Sequence, residues 1–180
     1  DIPVSVRAIG RAGAGVNNIP VAALSARGVP VFNTPGANAN AVKELVLAGM
    51  LLAARRLPAA LDFARGLDAS AADLEQRVEG GKKAFAGREL AGQTLGVIGL
   101  GKVGSLVADA AIKLGMDVIG FDPEISIDAA WRLPSQVRRA HSVAEVLRES
   151  NFVSLHVPLL PATRHLVDAN GLAVMKPDAV

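Results

Sequence analysis

Residues Thr94–Asp122 read TLGVIGLGKVGSLVADAAIKLGMDVIGFD, and the fold class follows from this stretch. Leu95–Ile98 is a short apolar run of strand type. Gly99-Leu100-Gly101-Lys102-Val103-Gly104 follows without a gap. Val103, Leu106, Val107, Ala110, Ala111 and Leu114 then recur at helical spacing until Gly115, a residue suited to closing a helix. A second apolar run, Val118–Phe121, ends on Asp122. The spacing predicts a strand, a tight turn, a helix and a second strand.

Each glycine of the turn has its own reason. Gly99 permits a backbone angle closed to other residues. Gly101 lets the main chain approach a pyrophosphate, and Gly104 lets the helix pack close to the strand. A helix N-terminus offers unpaired N–H groups and a partial positive charge to phosphate. Asp122 follows Gly104 at roughly the twenty-residue spacing of a ribose-binding acid. A carboxylate there accepts from a 2′-hydroxyl and repels a 2′-phosphate. The stretch therefore predicts a dinucleotide site that favours NAD over NADP.

Working outward, Val4–Ile9 reads as a strand and Gly10–Gly15 as a loop of small residues. Asn18 and Pro20 suit the start of a helix over Val21–Arg27, stopped by Gly28. Pro30–Phe32 reads as a second strand, and Asn33–Ala37 as a crossover between domains. Asn38 and Asn40 precede a helix from about Ala41 to Arg56, apolar on every side over Leu45–Ala54. That apolar run is too short to span a membrane, so it reads as buried between layers or subunits. Residues 57–93 are less regular, with Gly80-Gly81-Lys82-Lys83 as a solvated basic turn and the whole as a possible subunit arm. Beyond Asp122, a helix is expected over Ile127–Leu133 with Trp131 in the core, and a short strand over Val137–Ala140. Ser142 and Glu145 form a capping-box pattern, and Asn151–Val157 reads as a strand. A loop and helix fill Thr163–Met175, and a last strand begins at Ala179. Strands alternating with helices predict an α/β fold built on a Rossmann-type, doubly wound parallel sheet.

The 180 residues are 51% hydrophobic with a formal net charge of +2, enough for one cored domain and part of another. No cluster of Lys and Arg interleaved with aromatics points to nucleic acid. Cysteine is absent, which removes disulfides and thiolate chemistry and fits a cytoplasmic protein. His141, His156 and His165 lack metal-ligand spacing, so no metal is expected. His156 reads as a packed, hydrogen-bonded residue, and the other two as surface residues. The opening at Asp1 and the close at Pro177-Asp178-Ala179-Val180 read as cut ends, so the sequence is expected to be a fragment.

Five ordered motifs carry a resemblance: Gly10-Arg11-Ala12-Gly13-Ala14-Gly15-Val16-Asn17-Asn18, Asn33-Thr34-Pro35, Val42-Lys43-Glu44, the Gly99–Gly104 turn and His156-Val157-Pro158. Together they resemble the NAD-dependent D-2-hydroxyacid dehydrogenase family over essentially the whole chain. The resemblance implies that residues 1–37 end a segment of a flavodoxin-like substrate domain and that 38–180 form an NAD-binding Rossmann domain, truncated at its C-terminal end. It places Gly99, Gly101 and Gly104 around the pyrophosphate, with the Lys102 and Val103 amides donating to it. Asp122 then holds the ribose, and Val157 and Pro158 line the adenine side. Arg11–Gly15 face nicotinamide and substrate, with Gly13 and Ala14 in the loop and Asn38 at the cleft border. Arg11 reads either as a contact to a substrate phosphate or as a domain-bridging surface residue. Asn38 reads equally as a helix cap.

The implied partner is a phosphorylated 2-hydroxy acid, and the implied assembly a homodimer or larger homo-oligomer. The implied catalytic Arg, Glu and His all fall beyond Val180, so no catalytic residue is expected within the chain. Asn17 and Ala14 depart from the family's commoner Asp and Thr, and Gly80 stands where an aromatic is usual. Two alternatives remain at this point: a different 2-hydroxy acid, such as glycerate or lactate, or a non-enzymatic NAD(H)-sensing module of the corepressor kind.

Overall fold

A computed structural model describes residues 2–180; Asp1, where the sequence opens, lies outside the described residues. Strand β1 (Ile9–Arg11) leads through helix α1 (Val21–Ala26) to β2 (Val31–Asn33). The two strands form a small parallel sheet, with Ile9 opposite Val31 and Arg11 opposite Asn33. The expected strand over Val4–Ile9 is displaced toward Arg11. Its length is set by β2, and among the described residues nothing pairs with those around Val4, which is 92% exposed. Pro30 lies outside β2: it has no N–H to give a ladder, and its carbonyl accepts from Ile9 N at 3.0 Å. Gly28, at φ +67°, closes α1 with a Schellman pair, Gly28 N to Ser25 O and Val29 N to Leu24 O. Pro20 rather than Asn18 occupies the cap position of that helix.

Helix α2 (Ala39–Ala54) runs on to α3 (Leu57–Arg65), α4 (Leu74–Gly81) and a 3-10 turn at Lys82–Phe85. The all-round burial expected of α2 does not hold within one chain. Met50 and Ala54 are buried, but Leu45 is 73% exposed and Leu51 and Leu52 are also exposed. Among the described residues, the side of the helix that packs into the core is the one with Val46, Met50 and Ala54. Nor is Gly80–Lys83 a free turn. Gly81 lies flat against the Phe63 ring, where a Cβ would overlap it, and Phe63 packs on Phe85 at 5.2 Å between centroids.

The main sheet contains β3 (Thr94–Ile98), β4 (Asp117–Phe121), β5 (Val137–Arg139) and β6 (Phe152–Leu155), in the order β5-β4-β3-β6 and parallel throughout. Connecting them are α5 (Lys102–Lys113), α6 (Ile127–Trp131) and α7 (Val143–Glu149), and α8 (Ala169–Ala173) follows. Alternate side chains sort the core by face. Leu95, Val97 and Val118 meet Met50, Val107, Ala111 and Phe152 on one side, while Ile98 and Ile119 meet Val146 and Leu147 on the other. Layers on both faces make the sheet doubly wound. Val180 adds main-chain bonds beyond β6, with Val153 N to Val180 O at 2.8 Å and Val180 N to Asn151 O at 3.0 Å. Trp131 departs from expectation: it is 85% exposed. The five-residue α6 buries nothing and turns Ala130, not Trp131, toward the sheet-end cavity.

Candidate cofactor and substrate site

The site starts where β3 meets α5. Gly99 has φ +92°, and a Cβ on it would stand 2.8 Å from the His156 carbonyl. Gly104 is buried with its α-carbon turned onto the Gly99 carbonyl oxygen, so an added Cβ would overlap that atom. Around Gly101, by contrast, an added Cβ meets nothing within 4 Å. The glycines thus do three different things: take a left-handed angle, allow helix-to-turn contact, and leave open the space in front of the turn.

Gly101 caps α5 without any side-chain cap bond, and the first bond into the helix runs from Ser105 N to Gly101 O at 3.0 Å. Among the described residues the amides of Lys102, Val103 and Gly104 have no acceptor, as the first turn of any helix leaves them. Asp122, at the end of β4, closes the turn from the side. Its Oδ2 accepts from Leu100 N at 2.8 Å and its Oδ1 from Glu124 N at 3.0 Å. A carboxylate has about four acceptor positions, so two remain for a ligand. A cavity of about 660 Å³ opens beside it, lined by Leu100, Asp122, Pro123, Leu133, Arg139 and His141. A dinucleotide's pyrophosphate and ribose hydroxyls fit this donor and acceptor set.

Val157 rests behind the turn, its Cγ1 3.0 Å from the position of a Gly99 Cβ. The Pro158 carbonyl is held by Thr163 Oγ1 at 2.5 Å. His156 is half-buried beside them, its Nε2 2.9 Å from Ser154 Oγ, and burial lowers its pKa below the ordinary histidine value. The packed reading of this residue matches its surroundings.

The second part of the site is the loop after β1. Gly13 is buried at φ +144°. Its N–H donates to Thr34 Oγ1 at 2.8 Å, and so is not free for a ligand. Among the described residues the amides of Ala14 and Gly15 have no acceptor. Arg11 curls over its own loop, with Nε donating to Gly15 O and Nη1 to Ala12 O, both at 3.1 Å. Its Nη2 has no protein acceptor among the described residues. Asn38 occupies the N-cap position of α2 but makes no side-chain cap bond. The segment after β2, which bonds this loop through Thr34, meets the glycine turn at Gly36. A Cβ there, at φ +90°, would press on the Lys102 stem at 3.3 Å.

Asn33 and Thr34 are the residues whose part sequence reasoning missed. They were visible as a motif at the end of β2, but their bonds reach back to a loop some twenty residues earlier. The Leu100 amide was likewise invisible as a partner for Asp122.

Residues 57–180 match the sequence profile described as "D-isomer specific 2-hydroxyacid dehydrogenase, NAD binding domain". The chain belongs to this family. Its cofactor is NAD. The chain is similar to D-3-phosphoglycerate dehydrogenase of Methanocaldococcus jannaschii, with 41% identity over 97% of this chain and 31% of that protein. It is also similar to hydroxypyruvate reductase of Thermotoga maritima, with 38% identity over 96% of the chain and 51% of that protein. Among solved structures, apo D-mandelate dehydrogenase of Rhodotorula graminis superimposes with a TM-score of 0.80 at 30% identity, over 98% of this chain and 50% of that one. D-lactate dehydrogenase of Aquifex aeolicus, solved with NAD and lactic acid, gives 0.75 at 28% identity, over 94% and 47%. The chain thus spans from about a third to about half the length of these relatives.

Proposed function

We propose that the whole protein oxidises 3-phospho-D-glycerate at C2 to 3-phosphohydroxypyruvate with NAD, the reaction that opens serine biosynthesis. The observation that carries this is the pair of amides at Ala14 and Gly15 that lack an acceptor among the described residues, in a loop under an arginine with one nitrogen to spare and bonded to the Asn33-Thr34 segment that runs on to Gly36 at the glycine turn. Residues 1–37 act as part of the substrate domain, and 38–180 as the cofactor domain. The Ala14 and Gly15 amides hold the substrate carboxylate, while Gly13 shapes the loop. Arg11 Nη2 faces the substrate phosphate, for which a guanidinium is well suited. Asn38, free of a capping role, borders the same cleft.

The Lys102 and Val103 amides donate to the pyrophosphate in the cradle of Gly99, Gly101 and Gly104. Asp122 receives the ribose hydroxyls, and Val157 and Pro158 take the adenine side. Bound NAD supplies the hydride acceptor. The base that takes the hydroxyl proton, with the arginine that orients the carbonyl, is expected beyond Val180. A protein made of residues 1–180 alone is therefore expected to give no NADH from 3-phospho-D-glycerate and NAD, followed at 340 nm, a wavelength at which NADH absorbs and NAD does not. For the whole protein, kcat/KM should be highest with 3-phospho-D-glycerate. Faster turnover of glycerate, lactate or sulfolactate would replace the substrate named here.

The protein acts as a homodimer or a larger homo-oligomer. What supports this is the exposed leucine face of α2, with Leu45, Leu51 and Leu52, continued by Leu57 and Leu61 on α3, which has no buried residue of its own. Exposed leucines gathered on two successive helices suit an association surface. Light scattering of the whole protein at micromolar concentration is expected to give at least twice the monomer mass, and Leu45→Asp with Leu52→Asp to reduce it. A wild-type monomer would overturn this.

A further inference from the structure

We propose that Thr34 and Asn33 are positioning residues that hold the Ala14–Gly15 amides in place for the substrate carboxylate, an inference that rests on the carboxylate-binding role proposed above for that loop. The loop has little structure of its own: Ala12–Gly15 carry no side chain beyond a methyl group. A loop so small would sample many shapes, since nothing on it packs. What fixes it comes from the C-terminal end of β2 and the residue after it.

Thr34 bonds the loop three times. Its Oγ1 accepts from Gly13 N at 2.8 Å and donates to Arg11 O at 3.3 Å, and its N–H donates to Gly13 O at 3.0 Å. Asn33 Nδ2 donates to Ala14 O at 2.9 Å. Arg11 itself takes the remaining two carbonyls, those of Ala12 and Gly15. All five carbonyls from Arg11 to Gly15 are therefore engaged by donors from this chain. The two amides without an acceptor, Ala14 and Gly15, are the only polar main-chain groups of Gly13–Gly15 left for a ligand.

An arrangement in which the carbonyls are engaged and two successive amides are left without an acceptor suits an anion. Holding two donors in fixed positions removes the cost of ordering them when substrate arrives. The same segment continues into Gly36 on the Lys102 stem, so the brace is built on the junction with the cofactor turn. Thr34 and Asn33 touch neither substrate nor cofactor in this scheme. They act through the loop.

The test uses the whole protein with 3-phospho-D-glycerate and NAD, with oxalate as a second carboxylate probe. Thr34→Val keeps the shape and removes the hydroxyl. It is expected to raise KM for the acid by roughly ten- to a hundredfold, the scale of a misplaced binding group. Oxalate inhibition should weaken in parallel, while the Kd for NAD stays near that of the wild type. Thr34→Ser, which keeps the hydroxyl, should restore most of the acid affinity. A folded Thr34→Val protein with unchanged KM for the acid overturns the proposal. So does equal weakening toward NAD and acid, which would mark a general structural role. If Thr34→Val does not fold, Asn33→Asp decides by the same measurements, since it keeps size but loses the donor to Ala14 O. A wild type that turns over no 2-hydroxy acid and binds no oxalate removes the functional reading itself, and the positioning role with it. An active wild type beside an unaffected variant removes the positioning role alone.

Discussion

Gly104→Ala is expected to abolish detectable NAD binding and to lower the unfolding temperature, whereas Gly101→Ala is expected to abolish binding alone. The two substitutions add the same methyl group only three residues apart, so chemistry cannot separate them; geometry does. At Gly104 the new carbon would stand 1.9 Å from the Gly99 carbonyl oxygen, a main-chain atom that cannot swing aside. Either α5 moves off β3 or the turn deforms. Overpacking of this kind costs about 1–3 kcal/mol and more where backbone is displaced. The displaced element is the one that carries the Lys102 and Val103 amides, so the cofactor would lose the donors proposed for it along with the packing.

At Gly101 the methyl group meets no protein atom within 4 Å, and the backbone angle of φ −69° suits alanine. The protein should fold as before. The methyl group would stand in the space through which a pyrophosphate must reach the main chain. Calorimetric titration with NAD and thermal unfolding of both variants check this. A Gly101→Ala protein that bound NAD as tightly as wild type would place the phosphates elsewhere.

That contrast also marks how far the sequence could be read. The glycine turn was legible because its cause is local: an apolar strand, three glycines at fixed offsets, a helical repeat and an acid in the right place. The helix stops at Gly28 and Gly115 were legible for the same reason. Both glycines have positive φ, at +67° and +80°, and both close Schellman pairs with the preceding turn. Ser142 caps α7 by accepting from Glu145 N at 3.1 Å, although the Glu145 carboxylate reaches one residue further back than expected, to His141 N at 2.8 Å.

What was not legible depends on partners distant in the chain. The bounds of β1 are set by a three-residue neighbour, β2, and not by its own apolar run. Trp131 lies on a helix too short for its period to define a buried side. The leucines of α2 were read as enclosed because nothing in their order says which side lacks a partner. In the candidate site, Gly13 reads as part of the substrate-facing loop, but Thr34, 21 residues later, takes its amide.

Asp122 should prove to be the residue that chooses NAD over NADP, and Asp122→Ala should lose both that choice and some stability. Two effects combine in this variant. The first is structural. The carboxylate accepts from Leu100 N and Glu124 N, and Leu100 is only 6% exposed. Removing the acceptor leaves a buried N–H without a partner, at a cost of about 1–3 kcal/mol. The second effect concerns the ligand. Hydrogen bonds from a sugar hydroxyl to a charged acceptor contribute about 1.5–3 kcal/mol, which corresponds to roughly ten- to a hundredfold in NAD affinity. A 2′-phosphate placed there meets a negative charge instead, so NADP gains when the carboxylate goes.

Asp122→Asn separates the two effects. It keeps the length of the side chain and one acceptor for the turn, but removes the charge that repels a 2′-phosphate. Its unfolding temperature should lie nearer wild type than that of Asp122→Ala, while its preference for NAD should fall as far. Titrating wild type and both variants with NAD and NADP checks both statements. Equal affinities for NAD and NADP in the wild type would leave Asp122 with the Leu100 amide alone. The residue would then serve as a brace for the glycine turn and take no part in choosing the cofactor.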